Sequence, residues 1–124
     1  MAVKDLITVK KCLFICNGGS CMKVDAENVT QAIRKSIKEL NLDDQFHTVR
    51  TKCIGRCDDA PVMMIAPENV WLQNIKTEQC KKIVSEIDAG KTKDSNHFLY
   101  QFGENTIASD SIPTKKRKNQ FNNK

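Results

Sequence analysis

Two cysteine pairs, far apart in the chain, constrain this sequence more than any other feature. The first is Cys16-Asn-Gly-Gly-Ser-Cys21 and the second is Cys53-Ile-Gly-Arg-Cys57. Each pair follows a strand-like run and encloses a glycine-bearing loop, so both fall where a strand gives way to a turn. The stretch between them is long enough for one helix and one strand. Four thiols on two such loops read as the cage of a single metal centre.

The rest of the chain arranges itself around those loops. Val9 to Ile15 is apolar and reads as a buried strand. Asn17-Gly18-Gly19-Ser20 breaks it, and paired glycines permit positive φ and close approach of backbone N–H groups to an anionic centre. Asp25 reads as an N-cap with Glu27 in the first turn. Val29, Ile33, Ile37 and Leu40 then recur at helical spacing, which predicts a helix from Asp25 to Leu40. Phe46 to Lys52 alternates as a strand and delivers the chain to Cys53. Val62 to Ile65 and Val70 to Gln73, joined through Pro67-Glu68-Asn69, read as a hairpin. Thr77 is expected to cap a second helix with Cys80, Ile83, Val84 and Ile87 on its apolar face, closed by Gly90.

The order β-α-β-β-β-α predicts an α/β fold with a mixed four-stranded sheet and two helices packed against it. Residues 1–90 are expected to form that domain. Residues 91–124 read as a polar, basic, largely disordered tail, within which Phe98-Leu-Tyr-Gln-Phe102 has the make-up of a short docking segment or strand, with disorder the favoured reading.

Charge follows the same division. The net charge of +5 suggests nucleic acid until it is located: after Gly90 seven basic residues face three acidic ones, leaving residues 1–90 with only +1. Basicity in a tail rather than on a folded face argues against nucleic-acid binding. The N-terminus has no sustained apolar segment of the signal-peptide kind, and Leu13-Phe14-Ile15 leads straight into the first cysteine pair. No stretch approaches the roughly 18 apolar residues of a membrane span. A reducing, cytoplasmic setting is expected, in which thiols mean metal or redox chemistry before disulfides.

The residues alone leave the metal open. A 2Fe-2S cluster takes four thiolates, two for each iron, and a structural zinc accepts cysteine pairs of similar spacing. Thiol redox chemistry is a third reading, although no C-x-x-C pair is present. Cys12 in the first strand and Cys80 in the second helix read as buried packing, with a spare-ligand role for Cys12 as the sharper alternative. His47 and His97 have no partner at ligand spacing. Met63 and Met64 read as core filling, and Trp71 as packing or interface. Arg56, inside the second loop, is a candidate for partner contact.

The run Cys53-Ile-Gly-Arg-Cys57-Asp-Asp-Ala-Pro61-Val-Met-Met-Ile65 closely resembles the second cysteine segment of thioredoxin-like 2Fe-2S ferredoxins, which the 24-kDa-type subunit of NADH dehydrogenase also carries. Pro67-Glu-Asn-Val-Trp71 and the helix after Thr77 are similar to the stand-alone ferredoxins in particular. The resemblance covers about residues 9–90. It implies a thioredoxin-like fold, a 2Fe-2S cluster on Cys16, Cys21, Cys53 and Cys57, one-electron transfer to redox partner proteins such as flavoproteins, and a homodimer. The chain lacks the N-terminal helical segment usual in the NADH-dehydrogenase subunit, which favours a free carrier, and the basic tail is outside the common pattern. Membership of an NADH- or hydrogen-oxidising complex is the first alternative. The second is a zinc-stabilised module whose Lys115-Lys-Arg-Lys118 tail binds polyanions.

Overall fold

The computed structural model describes residues 4–19, 23–56, 59–103 and 105–109. Within them, β1 (Lys11–Cys16) alternates as its sequence requires: Leu13 and Ile15 are fully buried, while Cys12 and Phe14 are half-buried. Helix α1 (Ala26–Glu39) carries the chain across to β2 (Phe46–Thr51), which pairs in parallel with β1 from Lys11↔Phe46 to Cys16↔Thr51. The hairpin of β3 (Met63–Ala66) and β4 (Val70–Leu72) adds antiparallel to the other side of β1. A single 3-10 turn, Thr77–Gln79, leads into α2 (Cys80–Asp88).

The sheet does not stop at four strands. After a second 3-10 turn, β5 (Phe98–Gln101) pairs antiparallel with β4, and β6 (Ile107–Ala108) pairs with β5. The order across the sheet is β2-β1-β3-β4-β5-β6. The four-stranded expectation is thus corrected to six, and both added strands come from the segment read as tail. The physical reason is visible at Leu99, which is completely buried, and at Phe98, which packs against the main core. The alternation in Phe98-Leu-Tyr-Gln is enough to add an edge when β4 offers open backbone groups. Ser109 is tied in as well, its N–H donating to the Leu99 carbonyl at 2.8 Å. The expected disorder of residues 110–124 lies outside the described residues.

Both helices cover the same sheet face. Val29, Ile33 and Ile37 from α1 and Ile83, Val84 and Ile87 from α2 meet Leu13, Ile15, Met63, Ile65, Val70 and Leu72 in one core. Each such side chain stabilises by about 1.5–3 kcal/mol on full burial. Cys80 belongs to this core, and desolvation, with a further push from Glu78, raises its thiol to about 11. It is packing, as expected.

The helix ends obey different rules at their two termini. Asp25 stands at the N-cap of α1 but in a left-handed conformation (φ 79°), and its side chain makes no cap; its carboxylate accepts from the Asn28 side-chain amide instead. Thr77 likewise starts a 3-10 turn rather than capping α2. The C-termini follow expectation. Gly90 at φ 73° closes α2, with its N–H on the Ile87 carbonyl and the Lys91 N–H on the Glu86 carbonyl. Asn41 at φ 57° closes α1 through the same pair of bonds to Lys38 and Ile37. Among the described residues, no helix is long and apolar enough to cross a membrane.

One forked ion pair joins α1 to the outermost parallel strand. Arg50 donates to both carboxylate oxygens of Glu27, at 2.8 and 2.9 Å. Hydrogen bonds from Arg50 and then Gln31 hold the Glu27 carboxyl at about 2, below its ordinary 4.5. A depressed carboxylate stabilises the fold above the ordinary value, and that stabilisation is lost as pH falls towards about 2. The effect is small because both side chains meet water. An NMR titration of the Glu27 carboxyl should therefore show a midpoint near 2 that returns to the ordinary range in Arg50→Gln. An ordinary midpoint in the unaltered chain would contradict the pairing.

Candidate metal centre

The two cysteine loops meet because their strands are parallel neighbours. Strands β1 and β2 run in the same direction and in register, so both loops leave the sheet at its carboxyl end. The Asn17 N–H donates to the Thr51 carbonyl at 2.8 Å, extending the pairing one step past the last ladder residue. Cys16 is buried, and its sulfur lies 3.6 Å from the carbonyl oxygen of Lys52, the residue before Cys53. Cys53 is exposed. One sulfur is thus held inside the protein and the other stands at its surface.

Gly18 is where the loops touch. A Cβ built on it would lie 2.6 Å from both the Cα and the backbone nitrogen of Cys53. Real Cβ atoms do not approach backbone so closely, so only glycine lets the first loop lie against the second. The glycine pair was expected to supply positive φ; among the described loop residues that falls to Gly55 (φ 92°) instead. Gly18 supplies space. Gly19 meets nothing within 4 Å.

The second loop is held from several sides. The Gly55 N–H donates to the Cys53 sulfur at 3.4 Å. The Asp59 carbonyl accepts from Asn74 N–H at 2.8 Å, and the Pro61 carbonyl from Ile75 N–H at 3.2 Å. Arg56 is not a free solvated cation: it is clamped onto the Asp59 carboxylate at 2.7 Å. A small apolar cluster of Cys16, Ala26 and Val62, with Ile54, Ala60 and Trp71 packed against it, backs the site. Trp71 is therefore packing beside a predicted ligand. The donor set suits a thiolate-bound centre: a buried sulfur, an exposed sulfur, an amide aimed at sulfur, and a backbone contact that only glycine permits.

Cys21 and Cys57 lie outside the described residues, so the structure places one cysteine of each pair. Cys12 does not join them. It sits four residues down β1, about 13 Å away at strand rise, opposite His47 and Ala66. Burial raises its thiol, with Lys4 opposing. His47 stays in β2 opposite Cys12, and the His97 ring nitrogen Nδ1 donates to the Gln73 carbonyl at 3.0 Å, so neither histidine stands with Cys16 or Cys53. Met63 is fully buried, as core filling should be. A groove of about 620 Å³ between α1 and β2 is lined by Lys4, Arg34, Lys35, Lys38, Phe46 and His47 among others, at the end of the strands away from the cysteine loops.

Sequence reasoning missed the aromatic support on the far side of Arg56. Its guanidinium stands 5.4 Å from the ring centroid of Tyr100. The alternation of Phe98-Leu-Tyr-Gln-Phe102 was the available signal.

The glycine contact can be tested directly. Gly18→Ala should destabilise the chain by about 1–3 kcal/mol in urea unfolding, the usual cost of forcing an atom into a packed space. Gly19→Ala should stay within about 0.5 kcal/mol. Equal effects would remove the argument for a close loop contact.

Comparison with known proteins gives the same reading from outside. Residues 8–88 match the family model of thioredoxin-like 2Fe-2S ferredoxins. A protein of Priestia megaterium described as a 2Fe-2S ferredoxin is 40% identical over 105 residues, spanning 85% of this chain and 82% of that one. A subunit of an NADP-reducing hydrogenase from Solidesulfovibrio fructosivorans is 30% identical over 76 residues, of which the aligned part spans 43% of the subunit. The crystal structure of a thioredoxin-like 2Fe-2S ferredoxin from Aquifex aeolicus superposes with a TM-score of 0.65 at 25% identity, covering 69% of this chain and 93% of that one. The resemblance read from Cys53 to Ile65 is therefore a family relationship, and the chain belongs to the thioredoxin-like 2Fe-2S ferredoxins.

Proposed function

We propose that Cys16, Cys21, Cys53 and Cys57 hold one 2Fe-2S cluster and that the chain is a one-electron carrier without catalytic activity of its own. The observation that carries this is the contact of Gly18 with the Cys53 backbone, which brings the two cysteine loops together in a chain of this family. When bound, such a cluster supplies a single-electron couple whose anionic charge deepens on reduction. The zinc reading loses its ground, because the family is one of 2Fe-2S proteins.

The chain's own residues bind, shield and expose. Cys16 anchors the site from inside, backed by Val62 and Trp71, while Cys53 brings it to the surface, as an electron carrier requires. The Gly55 amide offsets negative charge on the Cys53 sulfur. Lys52 is exposed beside it and favours the more anionic, reduced state. Arg56 and Asp59 neutralise each other at 2.7 Å and so contribute little net field. The groove of about 620 Å³ lies away from the cysteines, consistent with a carrier that takes electrons from partner proteins, flavoproteins or other oxidoreductases. A reducing compartment such as the cytoplasm keeps cysteines free for metal, which supports a cytoplasmic carrier.

A homodimer is supported by the sheet face turned away from the helices. Val49, Phe14, Met64, Trp71 and Tyr100 follow one another across it as register partners, all only half-buried. A second reading, an electron-transfer subunit of a hydrogen- or NADH-oxidising complex, is favoured by the 30% identity to the hydrogenase subunit. Co-purification with a flavoprotein would select it. We further propose that the folded domain runs to Ser109 and that residues 110–124 are separable from it.

The purified protein should be red-brown with two irons per chain. Ser in place of Cys16, Cys21, Cys53 or Cys57 should each remove or alter the visible spectrum, whereas Cys12→Ala and Cys80→Ala should leave it unchanged. Deleting residues 110–124 should also leave it unchanged. A colourless protein with one zinc would overturn the proposal.

A further inference from the structure

A contact outside the cysteines joins the second cysteine loop to the last hairpin. Arg56 lies between Cys53 and Cys57. Its Nε and one terminal nitrogen both reach Asp59 Oδ2 at 2.7 Å, and the two side chains are only 20% and 16% exposed. The guanidinium carbon stands 5.4 Å from the centroid of the Tyr100 ring, on β5. The same loop closes on itself through the Asp59 N–H, which donates to the Arg56 carbonyl at 3.0 Å.

From Tyr100 a second line of contact runs to the first cysteine. Tyr100 is the cross-strand partner of Trp71, and Phe102 meets both rings, edge-on to Trp71 at 5.3 Å and tilted to Tyr100 at 5.5 Å. Trp71 packs against the cluster that contains Cys16. Strands β5 and β6 both lie beyond residue 88, where the family match ends.

We infer that Tyr100 is a positioning residue: its ring holds the Arg56 guanidinium and thereby fixes the loop that carries Cys53 and Cys57. A long, charged side chain on a loop has rotamer freedom to lose, and a half-buried site limits the water that would otherwise compete for it. The aromatic face attracts the cation, more strongly as water is excluded. The planar fork then lets arginine face the ring and grip Asp59 together, which a lysine cannot do. A loop held in one geometry presents its sulfurs ready for metal, so retention of the cluster follows from the contact. That consequence rests on the four-cysteine reading above, but the loop contact itself does not.

The test compares full-length Tyr100→Phe, Tyr100→Leu and Arg56→Lys with the unaltered chain. The first keeps the ring face, the second keeps apolar bulk without it, and the third leaves the hairpin untouched. In the full-length protein as purified, amide hydrogen exchange at Asp59 should quicken by about threefold to tenfold in Tyr100→Leu and Arg56→Lys, the range expected of one cation–π contact, and stay unchanged in Tyr100→Phe. In the iron-loaded protein the same two variants should lose visible absorbance faster under a chelator, and combining them should add little. Unchanged exchange in Arg56→Lys, or a Tyr100→Phe variant as loose as Tyr100→Leu, would overturn the inference. If the unaltered chain holds no 2Fe-2S cluster, the functional proposal fails while the exchange measurement still decides the role of Tyr100.

Discussion

The parallel pairing of β1 with β2 is the constraint on which the rest of the site depends. Parallel neighbours must end at the same side of a sheet, and a helix must carry the chain back between them. That single arrangement puts the loop after Cys16 beside the loop that opens at Cys53. The remaining gap is closed by Gly18, whose missing side chain lets one backbone rest on the other. An antiparallel pairing of the same two strands would have placed the cysteines at opposite ends, however well each loop was built.

The two faces of the sheet divide the labour that follows. Helices α1 and α2 bury the face bearing Leu13, Ile15, Met63 and Ile65, which supplies the hydrophobic stabilisation of the fold. The other face carries Phe14, Met64, Trp71 and Tyr100, all half-buried. Cys16 shares its alternation with that second face, yet it is buried because Ala26, Val62 and Trp71 enclose the end of the strand. The site is therefore sheltered by the aromatic side of the sheet. The hydrophobic core stands behind it.

Much of this was legible in the sequence because it rests on local patterns. The apolar spacing of Val29, Ile33 and Ile37 predicts α1, the alternation from Phe46 predicts β2, and Gly90 marks the end of α2; all three stand in the structure. Asp25 does occupy the N-cap of α1, but its left-handed backbone makes no side-chain cap, and Thr77 lies in the 3-10 turn ahead of α2; composition does not reveal φ. The sequence admits a strand at Phe98–Gln101 within the tail, but four residues there and two at Ile107–Ala108 are too few to place β5 and β6 in the sheet. Their stability is borrowed from β4 and from the burial of Leu99. The role of Gly18 was also hidden, since the atoms it avoids belong to a residue far along the chain. Pairing of distant segments is what a linear reading lacks, and it is what places Arg56 between Asp59 and Tyr100.

One centre held by four cysteines on two loops would exchange one electron. A stoichiometric reductive titration followed by electron paramagnetic resonance addresses it most directly. Uptake of one electron for every two irons in the chain is expected, with a single S = ½ signal that integrates to one spin per chain at the end point. Uptake of two electrons without a paramagnetic signal would indicate dithiol chemistry. No uptake at all would indicate a redox-inert metal. Either result would rule out a one-electron cluster on these cysteines.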